Sequence, residues 1–365
     1  MRIGIDCRLA GPDHAGIGRY TAELVKGLLN SATDIEWVLF CSNQLQANYL
    51  VATTTNRNVK IVISSIRHYS FAEQILFPRV LYREKLDLLH IPHFNVPFVY
   101  RKPVFVTIHD LLWHHHRGNQ VTTLQPWIYW FKYLGYRLVA SHSILSAKHI
   151  FVPSESIRNT IGKYYPTTNE KIEVTYEGVN LSVPQKIKSA LPSKYLLFVG
   201  SLYPHKNIVV VLKALQKLPK IHLLLVGSRS VFSQQIQQLV TTLDLNKRVT
   251  FFGRATEGEL HTLYNQAQAV IQPSLSEGFG LTGIEAMAAG TPVIASDIPI
   301  FHEIYQNAAL YCQPQDPESF VQAINQLPKH RNKLVTLGRT LSQQYTWKKM
   351  VRQTLSAYQL FLATL

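Results

Sequence analysis

The chain has 365 residues, 46% of them hydrophobic, which suits two domains of ordinary size with large cores and excludes a disordered protein. With 37 basic against 22 acidic residues the formal charge is +15, a balance that favours anionic partners: nucleic acid, phosphate-rich ligands or an anionic membrane face. Cys7, Cys41 and Cys312 are scattered and form no C-x-x-C pair, so neither a zinc site nor a disulfide framework is expected, and a reducing, cytoplasmic home is.

The first predicted element is the apolar strand "RIGIDC"; the opening "MRIGIDCRLAG" lacks the long apolar core of a signal peptide. "GPDHAGIGRYTAEL" follows, with Gly16 and Gly18 ahead of a helix, "IGRYTAELVKGLLN", and Arg19 beside them. The spacing is not G-x-G-x-x-G, and no acid stands at the end of a following strand, which argues against a dinucleotide site and leaves a mobile glycine loop. "EWVLFC", "VKIVIS", "LLHIP" and "VFVTIHD" read as further strands, near-continuously apolar and so buried on both faces of a parallel sheet. His109 follows the last of these and is expected at its carboxyl end, with Asp110 placed to orient it or to cap. His114, His115 and His116 are consecutive and point in different directions, so one ion cannot use all three and no metal is expected. Between 125 and 154, Trp127, Tyr129, Trp130, Phe131, Tyr133 and Tyr136 interleave with Lys132, Arg137 and Lys148. That mixture suits an interfacial helix on an anionic membrane, or a core helix with its aromatics on the sheet; "EQILFPRVLYREKL" is similar. No apolar run of about 18 residues predicts a spanning helix.

A polar stretch with two prolines, "NLSVPQKIKSALPS", marks a boundary, after which a second strand–glycine loop–helix unit opens near residue 195. "YLLFVG", "IHLLLVG", "RVTFFG", "AVIQPS" and "TPVIAS" read as strands between the helices "NIVVVLKALQKL", "SQQIQQLVTTLDL", "TEGELHTLYNQA" and "GLTGIEAMAAG". Alternation of this kind predicts an α/β fold of two Rossmann-like, doubly wound domains facing across a cleft, with ligands at the carboxyl ends of the strands. The expected domains are 1–182, with 348–365 crossing back to it, and 190–347.

The chemistry concentrates in "SLSEGFGLTGIEAMAAGTPVIAS". Glu277 lies in a glycine-rich loop and Glu285 about one turn inside the following helix; the N–H groups of Phe279, Gly280, Leu281 and Thr282 make an anion site at the helix start. Glycine lets backbone approach a phosphate, and carboxylates accept hydrogen bonds from sugar hydroxyls, so the stretch asks for a nucleotide-sugar. In "FVGSLYPHKNI" Lys206 stands near another helix start, where an ammonium can neutralise a diphosphate leaving group.

These segments resemble glycosyltransferase family 4, retaining enzymes of the GT-B fold. "IGIDCR…GIGRY", "VTIHDLLW", "FVPSESIRNTI", "EVTYEGVN", "LLFVGSLYPHKN", "VTFFG…EL…LY", the E-x7-E stretch and "NAALYCQPQDPESF" occur in the family's order, and "HDL" with "LYPHKN" look most like its mannosyltransferase branch. The resemblance implies that Glu277 contacts the transferred sugar, Glu285 the nucleotide ribose, Lys206 the diphosphate, His109 the donor sugar, and Gly16 and Gly18 the donor phosphates or the acceptor. It implies no metal, no cofactor besides a GDP- or UDP-linked donor, and a terminal helix crossing back near Trp347. Ser201 stands where many members carry an arginine and His205 where the mannosyltransferase branch often has one, so Arg254 or Arg229 is a candidate second phosphate partner. The activity implied is retaining transfer of a hexose, mannose first, to a glycan or lipid-linked acceptor, at the cytoplasmic membrane's inner face or in the cytoplasm. The rivals are a sugar-nucleotide epimerase on the same fold and a non-catalytic basic protein binding membrane or nucleic acid; no nucleic-acid module is recognised.

Overall fold

The computed structural model describes residues 1–11, 14–115, 118, 122, 125–187, 191–227 and 231–364, apart from the side chains of residues 15 and 115. His116 and Arg229 therefore lie outside the described residues. The chain forms two units: Met1–Leu111 with Trp127–Gly178 and Thr346–Leu365, and Leu112–Pro126 with Val179–Tyr345.

In chain order the first half holds β1 (Arg2–Asp6), α1 (Ala15–Ser31), β2 (Glu36–Cys41), α2 (Gln44–Val51), β3 (Val59–Ile63), α3 (Phe71–Arg83), β4 (Leu88–Ile91), β5 (Val104–Thr107), α4 (Leu112–His115), α5 (Pro126–Ser146), β6 (His149–Val152), α6 (Glu155–Tyr164) and β7 (Ile172–Val174). The second holds β8 (Tyr195–Val199), α7 (Ile208–Gln216), β9 (His222–Val226), α8 (Ser233–Thr242), β10 (Val249–Gly253), α9 (Glu257–Gln266), β11 (Ala269–Gln272), α10 (Leu281–Ala288), β12 (Val293–Ser296), α11 (Pro299–Tyr305), β13 (Ala309–Cys312), α12 (Pro317–Ser342) and α13 (Trp347–Leu362). One sheet runs β3-β2-β1-β4-β5-β6-β7 and the other β10-β9-β8-β11-β12-β13, with parallel pairing throughout. Central strands such as β8, β11 and β12 are buried on both faces, which is why they read as unbroken apolar runs. Each sheet reverses its strand order once, between β1 and β4 and between β8 and β11, and those two points fix where a ligand can reach the strand ends.

Helix starts follow from local chemistry. Thr256 and Glu259 close a reciprocal capping box on α9, and Ser154 and Thr346 accept from backbone N–H groups at the starts of α6 and α13. The helix α13 belongs to the first unit: Tyr358 is fully buried and its hydroxyl bonds His90 Nδ1, while Trp347 packs edge-on to Tyr20 at 6.4 Å. Burial pushes the His90 pKa down to about 3, so the imidazole in that bond is neutral.

Two readings change. Gly16 and Gly18 lie inside the first turn of α1 and not in a loop ahead of it. A Cβ on residue 18 would overlap the Gly11 carbonyl, so the helix start and the loop after β1 pack too closely for any side chain there. And α5 is not wholly a core helix: Tyr129, Ala140 and Ile144 are buried, while Trp127, Trp130, Phe131, Leu134 and Leu138 are exposed.

Candidate active site

In the second unit the switch point between β8 and β11 brings together the two loops that carry Lys206 and Glu277. A short 3₁₀ turn, Pro204–Lys206, ends at Asn207 in the left-handed region (φ 54°). The Asn207 amide donates to Pro273 O at 3.0 Å and Pro314 O at 2.6 Å, and Leu275 N donates to His205 O at 2.7 Å, so the two loops are stitched by backbone acceptors. On this frame Lys206 Nζ donates to Glu277 Oε1 at 2.6 Å, and Ser274 Oγ donates to the same oxygen at 2.7 Å. The pair is largely buried, with side chains 23% and 14% exposed. Burial alone would raise the Glu277 pKa; the Lys206 charge and hydrogen bond, with Ser274, outweigh it and hold the carboxyl below its usual range. It is an ionised acceptor ready for a hydroxyl.

Just beyond, Gly280 caps α10 at φ 89°, where only glycine is at ease. Its carbonyl is held from beneath: Tyr305 OH shares its proton between Gly280 O and Gln272 Oε1, both at 2.5 Å, and Gln272 Nε2 donates to Thr282 Oγ1 at 2.6 Å. With the carbonyl turned back, the N–H groups at the α10 start keep their positive end available to an anion. The Phe279 side chain does not join them; it is buried edge-on to Tyr345 at 5.4 Å, so only its backbone can serve. A Cβ at position 283 would overlap both Gln272 and Tyr305. Gly283→Ala is therefore expected to cost about 1–3 kcal/mol from overpacking, read as a fall of several degrees in the melting temperature, and an unchanged melt would refute this packing.

Glu285, 3% exposed, lies on the same helix, and Tyr264 OH donates to its Oε2 at 2.7 Å. Tyr264 is pinned in turn, since Thr291 Oγ1 donates to its carbonyl at 2.6 Å. Ser201 is half-buried just past β8, and His205 sits in the 3₁₀ turn with its ring 5.9 Å from Tyr203. Arg254 is exposed just past β10, the edge strand two places from β8.

In the first unit His109 follows β5 as its position predicts. Its Nδ1 is 3.4 Å from Glu177 Oε1 and its ring meets Tyr20 edge-on at 4.6 Å. Among the described residues its Nε2 is buried and takes no hydrogen bond. One cluster among the described residues has metal-ligand geometry, Asp6, His68 and Glu73. Arg8 already bridges the two acids, with Nη2 2.7 Å from an oxygen of each, and a cation would have to displace the guanidinium. Burial would raise the Asp6 pKa, but Arg8 holds it below its ordinary value, so the cluster is an ion-pair network.

Sequence reasoning missed Ser274, Tyr264, Gln272, Tyr305 and Glu177. Tyr264 and Glu177 lie within quoted family segments, and Ser274 lies within the E-x7-E stretch. Nothing in sequence marks Tyr305, which reaches Gly280 from 25 residues away.

Two parallel α/β units with these switch points are the architecture of the GT-B fold. Sucrose-phosphate synthase from Thermosynechococcus elongatus matches at a TM-score of 0.78 over 100% of both chains with 20% identity, and WaaG, a glycosyltransferase involved in lipopolysaccharide biosynthesis, at 0.73 over 96% of this chain and 98% of the other with 13% identity. Residues 14–183 match the model of Glycosyltransferase Family 4 and 182–342 that of glycosyl transferases group 1. The chain belongs to glycosyltransferase family 4. The O-antigen chain mannosyltransferase RfbU of Salmonella typhimurium is 35% identical over 236 residues, 64% of this chain and 66% of that protein. The O-antigen chain mannosyltransferase B of Escherichia coli is 27% identical over 94% of this chain and 96% of its own length.

Proposed function

We propose that the enzyme transfers a hexose, mannose first, from a nucleotide-diphospho-sugar to a glycan or lipid-linked acceptor, with retention at the anomeric carbon. The Lys206–Glu277–Ser274 cluster beside the α10 start carries this reading: an ionised carboxylate for sugar hydroxyls next to positive charge for a diphosphate. The mannosyltransferase names of two relatives favour GDP-mannose, with a UDP-hexose second. Glu277 accepts from the sugar, Glu285 from the ribose hydroxyls, and His109 Nε2 from a further sugar hydroxyl. Lys206 and the N–H groups of Gly280, Leu281 and Thr282 take the diphosphate, with Ser201 and His205 at its edge; Gly16, whose Cβ position is open, lets backbone approach the phosphates or the acceptor, while Gly18 is taken up by the Gly11 carbonyl.

The acceptor hydroxyl attacks on the face the diphosphate leaves. Its oxygen bonds to the anomeric carbon as the carbon–phosphate oxygen bond breaks, and the departing β-phosphate oxygen takes its proton. No protein nucleophile is required, and the neutralising charge comes from Lys206 and α10, so the reading needs neither a metal nor a resident cofactor. A lipid-linked acceptor sets the work at the inner face of the cytoplasmic membrane.

Thermal stabilisation by GDP, UDP, ADP and their hexose conjugates, without added metal, tests the reading. A ligand at about 100 times its Kd adds ~2.7 kcal/mol. A shift confined to one base names the donor class; no shift with any of them overturns the proposal. Incubation with donor alone separates the epimerase, which would release an isomerised nucleotide-sugar.

A further inference from the structure

We infer that Glu177 is a positioning residue of the transferase: its carboxylate, set behind the His109 ring, keeps the ring proton on Nδ1 and leaves Nε2 bare for the donor hexose. This role rests on the proposed contact of His109 with the sugar. His109 and Glu177 come from separate stretches of the first sheet. His109 follows the end of β5 by two residues and Glu177 the end of β7 by three, with β6 between the two strands. Both segments stay fastened to β6 past their own strand ends: Ile108 N donates to Phe151 O at 2.9 Å, and Thr175 N donates to Val152 O at 2.9 Å. Sheet register therefore brings the pair together at the carboxyl end of β6.

Packing holds both partners in place. The side chains of His109 and Glu177 are 10% and 8% exposed, with Nδ1 3.4 Å from Oε1. Tyr20, fully buried, meets the His109 ring edge-on at 4.6 Å. Its hydroxyl is hydrogen-bonded to Thr107 Oγ1 at 3.2 Å, and that oxygen to His90 Nε2 at 2.9 Å. The chain of bonds ends where His90 Nδ1 meets Tyr358 OH, so the wall beside His109 is tied into the core. On the Glu177 segment, a Cβ at position 178 would overlap the backbone of Thr346 and Trp347. The residue after Glu177 thus lies hard against the start of α13.

A buried carboxylate beside a buried imidazole decides where the ring proton sits. An ionised Glu177 can only accept, so it favours the proton on Nδ1, and a neutral imidazole protonated there carries its lone pair on Nε2. The opposite tautomer would set the Nδ1 lone pair against the carboxylate. Nε2 is buried and takes no hydrogen bond among the described residues, a cost that a hydroxyl of the bound hexose removes. Charge works in the same direction. The hexose gathers positive charge at the anomeric carbon as the diphosphate leaves, and an anion held behind a neutral ring favours that charge. Glu177 touches no reacting atom in this arrangement and acts through His109.

Nitrogen NMR of the isotope-labelled full chain at mildly alkaline pH, where an imidazole is neutral, reads the tautomer without donor or acceptor. His109 is assigned by the signal lost in His109→Gln. The expected result is a protonated Nδ1 and a bare Nε2 in the parent and in Glu177→Asp. In Glu177→Gln, whose amide donates where the carboxylate accepted, the proton should move onto Nε2. In turnover of GDP-mannose to GDP, Glu177→Gln is expected to lower kcat/KM by about 10- to 100-fold, as for other groups that orient a working histidine, and Glu177→Asp by less. The Kd for GDP should stay that of the parent, since Glu177 acts on the sugar half of the donor. In a His109→Gln background Glu177→Gln should add no further loss, whereas a merely structural Glu177 would add its loss in full. A proton on Nε2 in the parent, a tautomer unmoved in Glu177→Gln, or additive losses in the double variant overturns the proposal. The parent's tautomer decides alone if Glu177→Gln does not fold. Failure of the transferase reading is seen separately, as no melting shift with any nucleotide.

Discussion

Lys206→Met is expected to lower kcat by about a hundred- to a thousandfold, the loss typical of removing one preorganised electrostatic donor from developing leaving-group charge. The same change is expected to cost about 2 kcal/mol of stability, between the ~0–1 of an exposed ion pair and the ~3–5 of a fully buried one, because it strands Glu277 in its pocket. Glu277→Gln should also cut kcat, with a smaller stability loss, since an amide oxygen still accepts from Ser274. In the double variant the stability losses should not add, with a coupling of about 0.5–3 kcal/mol in urea titrations. The pH dependence has a fixed sign. A carboxyl whose folded pKa lies below its unfolded value stabilises above the unfolded pKa, and that contribution fades as pH falls through the folded one. In Lys206→Met this acid limb moves to higher pH. Simple additivity together with an unmoved acid limb would refute the pair, and parent-like turnover would refute its catalytic use.

Glu285→Gln is expected to raise the Kd for the nucleoside diphosphate by about 10- to 100-fold, the equivalent of losing charged hydrogen bonds to the ribose diol worth about 1.5–3 kcal/mol. At saturating donor kcat should stay near that of the parent, because the ribose is held alike in ground and transition states. Tyr264→Phe keeps the ring and removes only the donor to Glu285 Oε2, so its Kd should rise less than tenfold in the same direction. Calorimetric titration with GDP and UDP measures both. An unchanged Kd in Glu285→Gln would sever this carboxylate from the nucleotide.

What could be read without coordinates followed the range of the physics involved. Long buried strands announce themselves by unbroken apolar runs, and the E-x7-E stretch by glycine beside acid at a helix start. Length does not separate β6 and β13, unread at four residues, from β4, β5, β11 and β12, read at four; only two residues lie between the end of α5 and β6, so its apolar run merges with that of the helix. Glycine read as a loop signal at 16 and 18, where both lie in α1 and the constraint, at 18 alone, is the close approach of the Gly11 carbonyl. Tyr305 and Gln272 hold the Gly280 loop through contacts that exist only once the second sheet and α11 have packed. The α5 aromatics were visible as composition, but which of them lie buried could not be chosen, since a core helix and an interfacial helix carry the same residues.

The place of α13 bears on how the molecule comes into being. Tyr358 seals His90 across 268 residues of chain and packs its ring within 5.7 Å of Phe105 and 6.4 Å of Trp37 and Phe151. The first unit to leave the ribosome therefore cannot close its own core. The stretch Val179–Tyr345 must be made first, on the order of ten to thirty seconds at about 5–20 residues per second. Through that interval the nascent first sheet holds a bare aromatic seam, which closes when α13 arrives to cover it.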